Sequence, residues 1–234
     1  ALVGLQPAGY HIVQILHYGL NTAIVFLFLR RLTPASMAVP VIATLLFIVH
    51  PLHTEVVDNI KSSDEMLCLT FFLTAAIAWL EYADTAKRRW LYVSIAGYAL
   101  AVGSKETGVA MVIVLPALWY FFRARSVRAS LVAAAPFFGV TLVYLVVRHF
   151  VLNGEEQTGI VTILNNSMMA TSNGPAQLAS AIAFLGRYVR MLFWPHPLSF
   201  DYTYDSVPLH TFGDVTVWLS VSVLAGLGAI VVMG

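Results

Sequence analysis

Long apolar runs separated by short polar turns dominate the chain. A helix crosses the hydrocarbon core of a bilayer with about 20 mostly apolar residues, so runs of this kind predict membrane-spanning helices. We predict about seven of them, at residues 9–32, 37–50, 66–82, 90–103, 108–122, 129–147 and from 214 onward. Hydropathy therefore indicates an all-α, polytopic integral membrane protein.

Basic residues are concentrated in alternate turns. The turns after the first, third and fifth predicted spans hold eight of them: Arg30, Arg31, Lys87, Arg88, Arg89, Arg123, Arg125 and Arg128. Cytoplasmic loops carry the excess of Lys and Arg, so residues 50–65 are predicted to lie outside the cytoplasm. Both flanks of an eighth apolar segment, 178–193, fall on that outer side, which predicts an interfacial or re-entrant helix there.

Composition agrees with a membrane location. The chain has 234 residues, of which 59% are hydrophobic and 11% are charged. Soluble domains carry about 25% charged residues, and the net charge of +1 gives no sign of nucleic-acid binding. We expect a single transmembrane domain over residues 1–234. It is expected to be truncated at both ends, because the chain starts without Met and stops within an apolar run.

Residues 50–65 form a dense run of ionisable side chains between two apolar segments. Spans 37–50 and 90–103 hold only 14 residues each, or roughly 21 Å of helix against a hydrocarbon core of about 30 Å. Charged groups at the outer ends of short helices are tolerated where they line a cavity. We therefore predict a recessed polar pocket in which His53, Glu55, Lys105 and Glu106 converge.

Two motifs at this pocket have alternative interpretations. His50, His53 and Glu55 have ligand types that could bind a metal ion, but a histidine pair beside a proline is more often a hydrogen-bonded loop clamp. Lys105 and Glu106 form either a simple neighbouring charge pair or, at the end of a short span, part of a site for an anion.

Other polar residues also allow two interpretations each. Asp201 and Tyr202 belong to an aromatic and acidic stretch that is either a solvated loop or a surface that stacks on sugar rings. Arg187 and Arg190 either extend to the membrane interface or contact a lipid phosphate. His17, within the first span, is expected to form an interhelical hydrogen bond.

Three stretches together resemble a known family. They are His-Pro-Leu-His-Thr-Glu-Val-Val at residues 50–57, Gly-Ser-Lys-Glu-Thr-Gly at 103–108, and Pro-Leu-Ser-Phe-Asp-Tyr-Thr-Tyr-Asp-Ser-Val-Pro at 197–208. In this order they resemble the transmembrane, tetratricopeptide-repeat O-mannosyltransferases and their bacterial relatives. Gly-Tyr-His-Ile-Val at residues 9–13 is also similar to that family.

The resemblance implies a GT-C type fold and a protein O-glycosyltransferase. Such enzymes take a polyprenyl-phosphate sugar as donor and a protein as acceptor. They act in the endoplasmic reticulum or the bacterial inner membrane, on the lumenal or periplasmic face. No cofactor is expected beyond the donor, and a divalent metal ion is the less favoured alternative. A tetratricopeptide domain would follow Gly234, and no repeat of that kind is visible in the chain.

The resemblance also implies roles for individual residues. The catalytic acid is expected upstream of Ala1, and the candidates within the chain are His53, Glu55 and Glu65. The donor phosphate would be held by residues drawn from Lys105, Glu106, Arg148, Arg187 and Arg190. His50, Asp201 and Tyr202 would shape the pocket and face the acceptor or the sugar.

One position departs from the family pattern. The family usually carries Arg-x-Glu at the end of the opening loop, whereas this chain has Ser63-Asp64-Glu65. The acid is kept and the cation is lost. Two alternatives to an active transferase therefore stay open: a catalytically silent structural subunit of a larger membrane complex, and a transporter of a lipid-linked anion.

Overall fold

A computed structural model describes residues 7–124, 126–153, 171–198 and 208–233. Within these ranges the chain is helical and contains no β-strand. The chain divides into two compact units, Ala1–Glu156 and Gln157–Gly234. The all-α class predicted from hydropathy is confirmed, and the single domain expected over residues 1–234 stays a prediction.

The first unit contains eight of the described α-helices and three segments of other helical type. The α-helices are α1 Pro7–Leu32, α2 Ala38–Val49, α3 His53–Asp58, α4 Ser63–Thr85, α5 Arg88–Ser104, α6 Val114–Trp119, α7 Val127–Ala133 and α8 Ala135–Asn153. The others are 3₁₀ turns at Ile60–Ser62 and Glu106–Ile113 and a π-helical segment at Tyr120–Ala124. The second unit contains α9 Gly174–Phe193 and α10 Val215–Met233.

Four helical stretches in the described part of the chain are long and apolar enough to cross a membrane: Ala8–Leu32, Ser63–Thr85, Glu106–Arg123 and Ala135–Leu152. The apolar helices Ala38–Val49 and Val215–Ile230 are shorter. An integral membrane protein is thus confirmed, but the predicted number of seven spans is not. Helix α9 is not among the candidate spans, and the interfacial or re-entrant location predicted for residues 178–193 stays a prediction.

Prolines explain where two predicted spans differ from simple helices. The span predicted at 129–147 is two helices, α7 and α8, with Ala134 between them. Pro136 follows directly, and a proline is accepted in the first turn of a helix but not in its interior. The span predicted at 108–122 runs through 3₁₀, α and π segments around Pro116.

Helix α4 packs against α5, α1 and α6, and its apolar face forms the core of the first unit. The Trp79 ring lies edge-on to Phe137, with 4.9 Å between centroids, and Trp79 Nε1 donates to the carbonyl oxygen of Leu115 at 3.1 Å. Close approach of α4 and α5 requires Gly97, where an added Cβ would lie 3.1 Å from the Cβ of Ala75. This packing fixes the middle of α4 against α5, α6 and α8.

Polar side chains join α1 to α4. Asn21 Nδ2 donates to the carbonyl oxygen of Met66 at 3.0 Å, and Thr70 Oγ1 donates to Asn21 Oδ1 at 2.7 Å. His17 Nε2 lies 2.9 Å from Thr70 Oγ1. The predicted interhelical role of His17 is therefore confirmed. Polar groups paired between helices in this way are common in membrane proteins.

A network of ion pairs closes the C-terminal end of α4. Asp84 pairs with Arg31 of α1, and its other oxygen lies 2.6 Å from Arg123 Nη2 in the π-helical segment. Arg31 also pairs with Glu81 at 3.1 Å. Two of the basic residues in the alternate turns are thus joined to α4 at the same helix end.

Candidate functional site: a charged cluster at the start of α4

The opposite end of α4 carries a second cluster of charges. Asp64 and Glu65 occupy the first turn of α4, and Lys105 directly follows the last residue of α5. Lys105 Nζ lies 2.5 Å from Glu65 Oε1 and 3.4 Å from Asp64 Oδ2. Asp64 and Asp84 are 84 − 64 = 20 residues apart on α4, so roughly 30 Å of helix separates this cluster from the Arg31–Asp84 network.

Lys105 is held as an ammonium ion. Its side chain is 24% exposed. Partial burial alone would lower the pKa of the Lys105 ammonium, but the hydrogen bond and the charge of Glu65, with those of Asp64, outweigh it and raise the pKa above its ordinary value. The lysine is therefore cationic at any physiological pH.

Glu106 pairs with a different cation. Its Oε2 lies 2.5 Å from Arg148 Nη2 near the end of α8. The neighbouring charge pair considered for Lys105 and Glu106 is therefore wrong. Lys105 has extended backbone angles, φ −149° and ψ 139°, and successive side chains of an extended backbone point to opposite sides. Lys105 consequently contacts Asp64 and Glu65, and Glu106 contacts Arg148, so the cluster contains two cations and three carboxylates.

His53 clamps the end of α2. Its Nδ1 lies 2.7 Å from the carbonyl oxygen of Phe47 and 3.0 Å from the Tyr18 hydroxyl. Because a carbonyl oxygen only accepts, Nδ1 carries the proton and Nε2 is the basic nitrogen. Burial lowers the pKa of the His53 imidazole, and His50 lowers it further, although the hydrogen bond to Phe47 acts in the opposite direction. The loop-clamp interpretation is confirmed for His53.

The other residues of the opening loop have separate surroundings. His50 Nδ1 accepts from the backbone N–H of Leu52 at 3.3 Å, and Glu55 is exposed on α3. In the part of the chain that the structure describes, no three His, Cys, Asp or Glu side chains are placed to hold a metal ion. The metal alternative for His50, His53 and Glu55 thus gains no support.

The four residues predicted to converge do not form a single set of direct contacts. They are His53, Glu55, Lys105 and Glu106. His53 bonds to α1 and α2, whereas Lys105 bonds to the first turn of α4. Among the described residues, no hydrogen bond or ion pair joins His53 or Glu55 to Lys105 or Glu106. The cluster around Lys105 is instead completed by Asp64, an acid that the sequence analysis did not single out. Its position in the first turn of a helix, beside Glu65, was the available signal.

Ser63, at the position of the family arginine, takes part in helix packing. Its Oγ donates to Gln14 Oε1 at 3.0 Å, and Gln14 Nε2 donates to the carbonyl oxygen of Asn59 at 3.0 Å. Gln14 is 2% exposed, so a polar partner there satisfies a buried amide. Ser63 therefore adds no positive charge. Among the described residues of the first unit, Lys105 and Arg148 are the cations that pair with the acids of this cluster.

The remaining predicted site residues belong to the second unit. Arg187 and Arg190 of α9 line a cavity between α9 and α10. Asp201 and Tyr202 lie outside the described residues, so their predicted role at the acceptor stays a prediction.

Comparison with known proteins decides the family. The family model described as dolichyl-phosphate-mannose-protein mannosyltransferase matches residues 1–152, which include α1 to α7, nearly all of α8 and the whole charged cluster. This chain belongs to that family. The match extends over more than half of the chain, and it confirms the family resemblance of the sequence motifs.

Curated relatives carry names of the same kind. Protein O-mannosyl-transferase tmtc2 of Xenopus laevis is 26% identical over 245 residues, covering 95% of this chain and 28% of that protein. Protein O-mannosyl-transferase TMTC4 of Homo sapiens is 31% identical over 128 residues, covering 46% of this chain and 17% of that protein. Protein O-mannosyl-transferase TMTC3 of Homo sapiens is 26% identical, covering 88% and 25% respectively.

The chain spans less than a third of the length of these relatives. These relatives are named as protein O-mannosyl-transferases, and none of the three is named as a structural subunit or an anion transporter. No solved structure matches the chain.

Proposed function

We propose that this chain is part of the membrane core of a protein O-mannosyltransferase, and that the cluster at the start of α4 binds the phosphate of a polyprenyl-phosphate mannose donor. Two observations carry the proposal. The family match includes the cluster, and the cluster contains two cations at one end of the first unit: Lys105, directly after α5, and Arg148 of α8.

The reaction makes one demand that this cluster can meet. The acceptor hydroxyl oxygen bonds to C1 of the sugar as the bond from C1 to the phosphate oxygen breaks. The hydroxyl proton passes to a base, and negative charge collects on the departing polyprenyl phosphate. Cations placed against that phosphate stabilise the transition state more than the ground state. Lys105 is the group proposed for this task, and Arg148, paired with the adjacent Glu106, would add positive charge near it.

The carboxylates of the cluster hold these cations in the absence of donor. Glu65 and Asp64 contact Lys105, and Glu106 contacts Arg148. An unpaired cation near the hydrocarbon is costly, so each carboxylate serves as a counterion that the donor phosphate would replace. The side chains of these carboxylates are 43–61% exposed, so water can solvate them when the phosphate takes their place.

The base for the acceptor is a separate question. Of the three candidates within the chain, Glu65 is engaged by Lys105 and His53 clamps α2. Glu55 is exposed on α3, so it is the candidate that we favour among these three. An acid from the first outer loop, as the family resemblance implies, is the other candidate.

The proposed location is the endoplasmic reticulum or the bacterial inner membrane, with the cluster on the lumenal or periplasmic side. This orientation is supported by the basic residues in the alternate turns. Arg31 and Arg123, two of these residues, both pair with Asp84 at the end of α4 opposite the cluster.

Transfer by the full-length protein tests this function. The protein would be reconstituted in liposomes with polyprenyl-phosphate mannose and a peptide containing Ser and Thr, and the peptide mass would be measured. We expect a gain of one hexose per modified hydroxyl, and no gain on the same peptide with Ala at every Ser and Thr. A protein that is folded but transfers no hexose from this donor would overturn the proposal.

A further inference from the structure

Helix α9 has the features of a helix that lies at a membrane interface. One face is buried, at Ala179, Ser180 and Ala183, while large aromatic side chains at its C-terminal end are exposed. Tyr188, Phe193 and Trp194 are respectively 69%, 80% and 68% exposed. Aromatic side chains are enriched where hydrocarbon meets headgroups, and an amphipathic helix in the interface buries its apolar face at that level.

A cavity opens where α9 meets α10. The two helices approach closely at Gly186, where an added Cβ would lie 2.0 Å from Ser220 Oγ. Beside this contact is a cavity of about 490 Å³. Its wall is mostly apolar, with Phe184 from α9 and Leu219 and Val223 from α10. Its size falls within the range of roughly 300–1,000 Å³ that is typical of ligand sites.

Two cations line the same cavity. Arg187 and Arg190 are three residues apart on α9, so they are neighbours on the helix surface. Arg190 Nη2 also lies 3.4 Å from the carbonyl oxygen of His196. His210, at the cavity wall, lies 3.4 Å from Asp214 through its Nδ1. None of the described residues that line the cavity is a carboxylate, and the two arginines give this described lining a positive formal charge.

We infer that this cavity binds an acidic phospholipid, with the phosphodiester on Arg187 and Arg190 and one acyl chain between α9 and α10. A guanidinium pair matches phosphate oxygens in geometry and charge, and the apolar wall matches hydrocarbon. The volume favours one acyl chain over the much longer chain of a polyprenyl donor. The site is distinct in its residues from the cluster around Lys105, and the inference does not depend on the proposed transfer activity.

Lipid retention by the full-length protein tests the inference. Protein purified in mild detergent would be exposed to phosphatidylglycerol or phosphatidylcholine, and bound lipid would be counted by native mass spectrometry. We expect phosphatidylglycerol to be retained over phosphatidylcholine. The double variant Arg187→Gln with Arg190→Gln should bind it at least roughly 10-fold more weakly, since two charge-assisted hydrogen bonds are lost. The control is Lys87→Gln with Arg128→Gln, which also removes two positive charges, and it should bind as the wild type does.

A second variant keeps the cations and fills the apolar part. Thr216 lines the cavity, so Thr216→Trp should also release phosphatidylglycerol while both arginines stay in place. This outcome separates an acyl-chain site from charge attraction at the surface.

Three results would overturn the inference. The first is unchanged retention in either the double variant or Thr216→Trp. The second is displacement of phosphatidylglycerol by inorganic phosphate alone, which would indicate a site for a free anion. The third is tighter binding of farnesyl phosphate at the same arginines, which would assign the cavity to the donor instead. None of these lipid-binding experiments requires a change in transfer activity. Failure of the lipid inference is therefore distinguishable from failure of the proposed function.

Discussion

At the scale of single residues, His53 links the opening loop to the membrane helices. The Nδ1–H of its ring and the Tyr18 hydroxyl both contact the carbonyl oxygen of Phe47, so the last turn of α2 is capped by side chains. Buried polar groups of this kind stabilise a structure only while their hydrogen bonds are complete. Protonation of the His53 ring would add a positive charge and disturb these hydrogen bonds.

Acid should therefore destabilise the protein through His53. Burial lowers the folded-state pKa of His53 below its ordinary value of 6.5, so between these two values the unfolded state binds more protons. Stability then rises with pH through that window, and it is lost as pH falls below 6.5. Thermal unfolding in detergent between pH 8 and pH 5 would show this fall in the wild type.

The variant His53→Asn should reduce the fall, because Asn can donate to the Phe47 carbonyl oxygen without titrating. The matched control is His11→Asn on α1, where the imidazole is exposed, and its pH dependence should equal that of the wild type. Identical pH profiles for the wild type and His53→Asn would contradict this role.

Lys105 and Glu106 show what residue patterns could not foresee. Both were identified as site residues from their place at the end of an apolar run, and both do belong to the charged cluster. Their partners depend on the backbone turning from α5 into a 3₁₀ turn at Lys105, and on Asp64 and Arg148 approaching from other helices. Contacts between residues about 40 positions apart depend on packing, which periodicity in one segment does not specify.

At the scale of elements, α4 and α5 approach closely at Gly97. A Cβ at Gly97 would lie 3.1 Å from Ala75 Cβ and 3.2 Å from the Phe71 carbonyl oxygen. Ser94 Oγ also donates to the Ala75 carbonyl oxygen at 2.7 Å. Small residues that allow such backbone approach are the usual basis of helix packing in membranes.

Gly97→Ala should consequently destabilise the first unit by about 1–3 kcal/mol, as overpacking does in other cores. Gly103→Ala lies on the same helix and is the matched control. Its added Cβ meets no atom within 4 Å, so it should be neutral or stabilising by up to about 1 kcal/mol. The free energy of unfolding in mixed detergent micelles measures both, and equal effects of the two substitutions would refute the contact.

Hydropathy located the helices but not their ends or breaks. Helices α4 and α5 extend beyond their apolar runs into Ser63–Glu65 and Arg88–Arg89, because hydropathy reports contact with hydrocarbon and not backbone hydrogen bonding. The runs around Pro116 and Pro136 are apolar throughout, yet a proline removes one donor and crowds the preceding turn. The helix breaks occur beside these prolines, which a hydropathy value averaged over the whole run does not reveal.

At the scale of the whole molecule, the charge clusters define the two ends of the first unit. Asp84 and Arg123 mark one end of α4, and Glu65 and Lys105 mark the other. Lys61 lies in the 3₁₀ turn before α4, and Ser126 follows the π-helical segment that carries Arg123. If α4 crosses the membrane, these two positions face opposite compartments.

Cysteine labelling would test this topology. Lys61→Cys and Ser126→Cys, each in a Cys68→Ala background, introduce thiols at exposed positions, whereas Ser62 is only 9% exposed. A membrane-impermeant maleimide should label residue 61 from the lumenal or periplasmic side. Residue 126 should react from that side only after the membrane is permeabilised. Equal labelling of both positions from one side would contradict the arrangement.

The central claim is that Lys105 holds the phosphate of a lipid-linked donor. The most direct measurement is the affinity of the full-length protein for a polyprenyl phosphate, compared between the wild type and Lys105→Met, which keeps the apolar stem and removes the charge. Loss of a charge-assisted hydrogen bond of about 1.5–3 kcal/mol predicts roughly 10- to 150-fold weaker binding. Lys61→Met, the matched control outside the cluster, should bind as the wild type does. Equal affinities of the wild type and Lys105→Met would contradict the claim.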